Sequence, residues 1–228
     1  MMARRIFFMT CLAALSMPRD LLAQQADQDD RDTLRPRGAP TGRVGAATRG
    51  GDQPGAETLT LDLVAPSRGA GLTSSDQPTL CYLLSGTTSA ALRLTISTRG
   101  QARPLADLEL PHPTSGFGVI DLRGRNVRLT AGQLYVWSLT VRLDPRAPSH
   151  DLVASALIQY QPAGPAVAKA LKEAPAGQQL PIFEQNGYWY DEVALAARDS
   201  ARDNGSALTA LLRKAGLQTA ASASGPPR

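Results

Sequence analysis

The sequence predicts a mainly β protein with a helical C-terminal part: an antiparallel immunoglobulin/fibronectin-like β-sandwich followed by a short helical hairpin. Three features of the 228 residues carry this expectation. Between residues 59 and 160 lie about seven short strand-like runs, and in three of them apolar and polar positions alternate with period two, which gives one buried and one wet face. Turn-forming sequences separate those runs at about ten-residue spacing, as in a sandwich. After Gln161 the texture changes to Ala- and Leu-rich segments with helical spacing.

The elements follow in order. Leu59, Leu61 and Leu63 alternate with Thr58, Thr60 and Asp62, and Leu92, Leu94 and Ile96 alternate with Arg93, Thr95 and Ser97. Tyr135, Trp137, Leu139, Val141 and Leu143 form the longest alternating run, and 79–84, 103–110, 117–122 and 152–160 are shorter strand candidates. Ser85-Gly86, Arg99-Gly100, Arg123-Gly124-Arg125-Asn126, Ala131-Gly132 and Asp144-Pro145 supply the turns. In Leu129 to Trp137 a turn glycine leads into Tyr-x-Trp at a strand start. Sandwiches of this type tie the strand to the preceding corner through such a tyrosine hydroxyl, so Tyr135 is expected to staple the corner and Trp137 to fill the core. Pro165 opens a helix over 166–174, a second runs from Tyr188 to Ala201, and a third from Ser206 to Ala215. In the last, Ser206 is the expected N-cap, Leu208, Leu211, Leu212 and Ala215 form one stripe, and Gly216 is the stop; Asn204-Gly205 makes the preceding turn.

The domain plan is a signal peptide at 1–23, a disordered linker at 24–41, the sandwich at 42–162, a helical region at 163–217 and a disordered tail at 218–228. Arg4 and Arg5 precede an apolar run from Ile6 to Met17, Pro18 breaks it, and Leu21-Leu22-Ala23 offers a cleavage site. The run is too short for a membrane span, which needs about 20 apolar residues, and no transmembrane helix is expected in the mature chain. Arg4-Arg5-Ile6-Phe7-Phe8 also resembles the twin-arginine export motif, although Ala3 stands where that motif has Ser or Thr. A short charged region that happens to use two arginines is the alternative. Export to the periplasm, the outer envelope or the medium follows from either. The segment from Gln24 to Thr41 holds Leu34 as its only large apolar residue, too little to offset the entropy of ordering.

Charge and cysteine usage exclude several classes. Cleavage after Ala23 removes three arginines and one aspartate, so the formal charge falls from +4 to +2, which does not call for nucleic acid as a partner. Cys11 leaves with the signal, so Cys81 is the single mature cysteine and no internal disulfide forms. Within Thr79-Leu80-Cys81-Tyr82-Leu83-Leu84 it reads as a buried, inert thiol.

Three segments, Arg43 to Gly51 (RVGAATRGG), Gly71 to Leu80 (GLTSSDQPTL) and Asn186 to Asp191 (NGYWYD), resemble in order and spacing the exported bacterial domain-of-unknown-function family 928 of cyanobacteria and proteobacteria. The resemblance spans about Arg43 to Leu217. Cys81-Tyr82 departs from the aromatic pair expected after Pro-Thr-Leu. The resemblance implies an envelope context and brings no activity, cofactor or catalytic residue with it.

Each candidate site also has a plainer role. Arg43, Arg49 and the glycines around them suit an anion-binding loop, or else a turn before the first strand with Arg49 paired to Asp52. Thr73-Ser74-Ser75 offers hydroxyls, but a serine nucleophile needs a base, and the chain's two histidines, His112 and His150, sit in proline-rich turns. With two separated histidines and one mature cysteine, a zinc site and any other metal or cofactor are not expected. Arg123, Arg125, Arg128 and Arg142 make either a basic patch or a solvated strand face. In Tyr188-Trp189-Tyr190-Asp191, successive helical side chains diverge by about 100°, so at least one aromatic is expected to stay available as an interface anchor. The expected function is therefore an exported, non-enzymatic envelope protein that binds a protein or ligand partner, with an envelope protein as the expected partner. An exported hydrolase of glycan or peptide, and an accessory factor of a secretion or surface machine, are the alternatives.

Overall fold

The computed structural model describes residues 42–47, 59–98, 101–143, 146–175 and 177–217. The expected signal peptide, the linker at 24–41, the tail at 218–228 and Arg49 lie outside the described residues.

The described residues form a mostly β structure with helices at the C-terminal end. The strands are β1 (Ala46–Ala47), β2 (Thr60–Leu63), β3 (Gly71–Thr73), β4 (Thr79–Leu84), β5 (Ala91–Thr98), β6 (Ala106–Leu110), β7 (Gly116–Asp121), β8 (Leu134–Arg142) and β9 (Leu152–Tyr160). One sheet has the order β1-β2-β4-β7 and the other β3-β9-β8-β5-β6. The first is antiparallel throughout, whereas β3 runs parallel to β9 (Gly71 opposite Ile158). The wholly antiparallel expectation is corrected on that point. With two and three residues, β1 and β3 are too short to show alternation, and pairing partners distant in sequence create them.

The long runs pack as their alternation requires. Along β8, Tyr135, Trp137, Leu139 and Val141 point inward; they share one core cluster with Leu61, Leu63, Leu80, Leu92, Leu94, Ile96 and Ile158 of both sheets. Each fully buried Leu or Ile contributes about 1.5–3 kcal/mol relative to exposure. At the corner before β8, Gly132 adopts φ +75°, which suits glycine, and the Thr130 N–H donates to the Tyr135 hydroxyl at 3.0 Å. The segment before β2 crosses between the sheets: Val44 bridges Ser155 of β9, while β1 pairs with β2.

Among the described residues the C-terminal part holds the three expected helices and one more between them: α1 (Pro165–Glu173), α2 (Leu180–Gln185), α3 (Trp189–Asp199) and α4 (Ser206–Lys214), of which α2 was not expected. The six residues of α2 (LPIFEQ) are too few to show a helical stripe, and Pro181 reads as a breaker although it is tolerated in a first turn. Ser206 is not the N-cap of α4. Gly205 holds the cap position in a left-handed conformation, and the Asp203 carboxylate accepts from the N–H groups of Gly205 (3.0 Å) and Ala207 (3.0 Å) and from the Ser206 hydroxyl (3.1 Å). A carboxylate outcompetes a hydroxyl for these donors because it is charged. At the other end, Gly216 at φ +70° lets the Leu217 N–H reach the Leu212 carbonyl at 2.8 Å, closing the helix. No described helix is long and apolar enough to cross a membrane.

Candidate functional site

The start of α3 is the joint between helices and sheets. Tyr188, Trp189 and Tyr190 are all buried there, 5 %, 8 % and 1 % exposed, which corrects the expectation that one of them remains available. Their divergence is absorbed because three different walls surround the helix start. Tyr188 meets the edge of Phe183 in α2 (centroids 6.5 Å apart). The Trp189 Nε1–H donates to the Val64 carbonyl at 3.3 Å, with the Lys214 ammonium of α4 5.8 Å from its ring centroid. Tyr190 reaches between the sheets. Its hydroxyl accepts from Trp137 Nε1–H at 2.7 Å and donates to the Leu157 carbonyl at 3.0 Å. Burial pushes that phenol well above its ordinary range, so it stays neutral and donates.

Two of the segments that carry the family resemblance, Gly71 to Leu80 and Asn186 to Asp191, meet at this joint. A Cβ on Gly71 would lie 2.5 Å from the Tyr190 ring, so the glycine is what lets β3 lie against it. The Asp191 carboxylate accepts from the Ser74 backbone N–H at 2.8 Å and from the Ser74 hydroxyl at 2.9 Å. Burial raises its pKa, more than the bonds from Ser74 and Thr73 lower it. Arg43 donates to the Leu63 carbonyl (3.2 Å) and to the Ala215 carbonyl at the end of α4 (3.1 Å), with Asp62 3.9 Å away. Burial lowers its pKa and Asp62 partly restores it. Two of its donors go to carbonyls on opposite sides, so it works as a brace between β2 and the last helix. Sequence reading missed the Ser74–Asp191 lock, because the partners lie 117 positions apart; the one available signal was that both sit inside resembling segments.

Beside the joint a cleft of about 930 Å³ opens between the four-stranded sheet and α2–α4. Phe117, Val119 and Asp121 of β7 line its sheet side, Phe183, Leu195 and Leu208 its helix side, and Arg123 and Arg198 its rim. In register, Val119 lies opposite Cys81, so the two share a face. Val119 is 56 % exposed, whereas Cys81 is buried and its thiol is pushed up to about 12, which keeps it protonated. The Asp121 carboxylate is held in its turn by the N–H groups of Arg123 (2.9 Å) and Gly124 (3.1 Å).

The remaining candidates are scattered. His112 lies exposed with Nδ1 3.3 Å from the Ala90 carbonyl, and His150 is exposed in the 3₁₀ turn Pro148–His150; neither lines the cleft. The Ser74 hydroxyl is therefore committed to a carboxylate, with no imidazole in the cleft lining to take its proton. Arg128 pairs with Asp76, and Arg142 lies in a separate pocket with Glu109, away from Arg123. Among the described residues no group of three His, Cys, Asp or Glu is placed to hold a metal ion.

No curated protein matches the chain. A solved structure, an engineered protein from the Northeast Structural Genomics Consortium, matches at 13 % identity over 45 % of this chain and 20 % of that chain. Its TM-score of 0.33 is too low for any structural argument. The family model described as Domain of Unknown Function (DUF928) matches residues 44–225, most of the chain, with Gly71 to Leu80 and Asn186 to Asp191 inside the match, and the protein belongs to that family.

Proposed function

We propose that this is an exported, non-enzymatic protein of the bacterial cell envelope that binds a protein or ligand partner in the cleft between β7 and α2–α4. The cleft carries the reading. It joins apolar side chains (Phe117, Val119, Phe183, Leu195) to a rim of exposed arginines, the mix of a recognition surface. Its carboxylates serve the fold, since Asp191 holds Ser74 and Asp121 closes a turn. Export rests on Arg4-Arg5 and the apolar run that follows them. The same reading takes the fold as an immunoglobulin-like sandwich, supported by the sheet order, by β3 running parallel along β9, and by the tyrosine at the start of β8 bonded to the corner before it.

A photo-crosslinking amino acid at position 119, activated in intact cells, tests the proposal. The expected product is one specific conjugate in the envelope fraction, made by a chain that begins at Gln24. An uncleaved chain confined to the cytoplasm would overturn the export reading. Hydrolysis of envelope glycan or peptide by the purified protein, lost in Ser74→Ala or Ser75→Ala, would overturn the non-enzymatic one.

A further inference from the structure

We propose that β7 is an open docking edge that takes, by strand addition, an extended apolar peptide segment of a partner protein carrying an acidic side chain; this rests on the binding reading above. An edge strand presents unpaired N–H and C=O groups that attract any other strand, and proteins blunt such edges by shortness, charge, proline or cover. Of the four edges among the described residues, β1 has two residues and β3 three, and the crossing of Val44 from one sheet to the other lies on their side. β6 carries Asp107, ion-paired to Arg93, and Glu109, and lies between Pro104 and Pro111. β7 is longer than β1 and β3 and carries no such guard over its first five residues. Its six residues Gly-Phe-Gly-Val-Ile-Asp carry no charge before Asp121, among the described residues it pairs with β4 alone, and Val119 stands exposed on it.

The unguarded edge is also the wall of the cleft. A strand laid along β7 would satisfy its free backbone groups and send alternate side chains toward Phe117 and Val119. Arg123, two residues past the end of β7, is exposed and has no ion pair among the described residues, so an acid on the incoming strand finds a partner there. A second copy of this chain fits less well. The carboxylate on its own β7, Asp121, is already held by two backbone N–H groups.

The test is selection of random dodecapeptides displayed against the immobilised full chain, followed by anisotropy with a labelled recovered peptide and amide exchange of the complex. Expected are peptides with apolar residues at alternate positions plus Asp or Glu, and slowed exchange of amides in 116–121. Binding should weaken by about tenfold or more in Val119→Lys and in Arg123→Glu. Both side chains are exposed, and an unchanged urea midpoint shows that each variant folds. Recovered peptides with helical spacing, or binding indifferent to Val119→Lys, would overturn the edge assignment while leaving a binding protein. A concentration-dependent dimer abolished by Val119→Lys would assign the edge to a second copy and overturn the peptide occupant. No recovered peptide together with no conjugate at position 119 in cells would sink both this inference and the binding reading.

Discussion

Removing one oxygen, in Tyr190→Phe, probes the joint most directly. The hydroxyl is the acceptor for Trp137 Nε1–H at 2.7 Å and a donor to the Leu157 carbonyl at 3.0 Å, and both Trp137 and Tyr190 are sealed from water. Phenylalanine fills the same space, so the cost is that of two orphaned polar groups. A buried donor left unsatisfied costs about 1–3 kcal/mol and the carbonyl adds a smaller amount, giving about 2–4 kcal/mol. That is a large share of a domain stability of about 5–15 kcal/mol. Urea denaturation followed by tryptophan fluorescence and far-ultraviolet circular dichroism measures it. Tyr188→Phe is the internal control: its hydroxyl lies 3.5 Å from the Pro162 carbonyl, a weak bond whose loss should cost under about 0.5 kcal/mol. A double-mutant cycle with Trp137→Phe separates the shared bond from lost packing, and the two changes should couple by about 1–2 kcal/mol. Tyr190→Phe as stable as the wild type, or effects that simply add, would refute the joint as described.

Two further outcomes are expected. Burial raises the Asp191 pKa in the folded chain, so its contribution to stability is fully present below the unfolded carboxylate pKa of about 3.9 and is lost as pH rises through the folded value. Asp191→Asn should therefore gain on the wild type between about pH 3 and pH 7 in urea midpoints; a difference that is flat, or that runs the other way, contradicts the burial argument. Tyr135→Phe leaves the Thr130 N–H without its acceptor and should cost about 1 kcal/mol, read from the thermal midpoint; no loss would mean that water takes the hydroxyl's place at the corner.

What the sequence determined by itself is periodic. Alternation at Leu92-Leu94-Ile96 and along Tyr135 to Val141 specifies strands with one buried face, because side chains on a strand must point alternately to opposite sides. The stripe at Leu208, Leu211 and Leu212, with glycine after it, specifies the last helix in the same way. Signals that depend on length were lost: β3, three residues long, exists because β9 lies beside it, and α2, six residues long, is too short for a stripe of its own.

Only the tertiary structure decided which chemistry-bearing groups meet. Three adjacent aromatics look like a surface anchor when a lone helix is imagined, and they are buried because β9, the segment after β2, and α2 with α4 close around that one turn. Arg43 reads as an anion ligand until its donors are found on Leu63 and Ala215, 172 positions away in the second case. The cleft likewise joins β7, which ends at Asp121, to helices that begin only at Leu180. Periodicity is a property of neighbours along the chain, so it can be read from the sequence. A lock or a cleft is a property of neighbours in space, and it arises only when burial of the periodic faces has brought distant segments together.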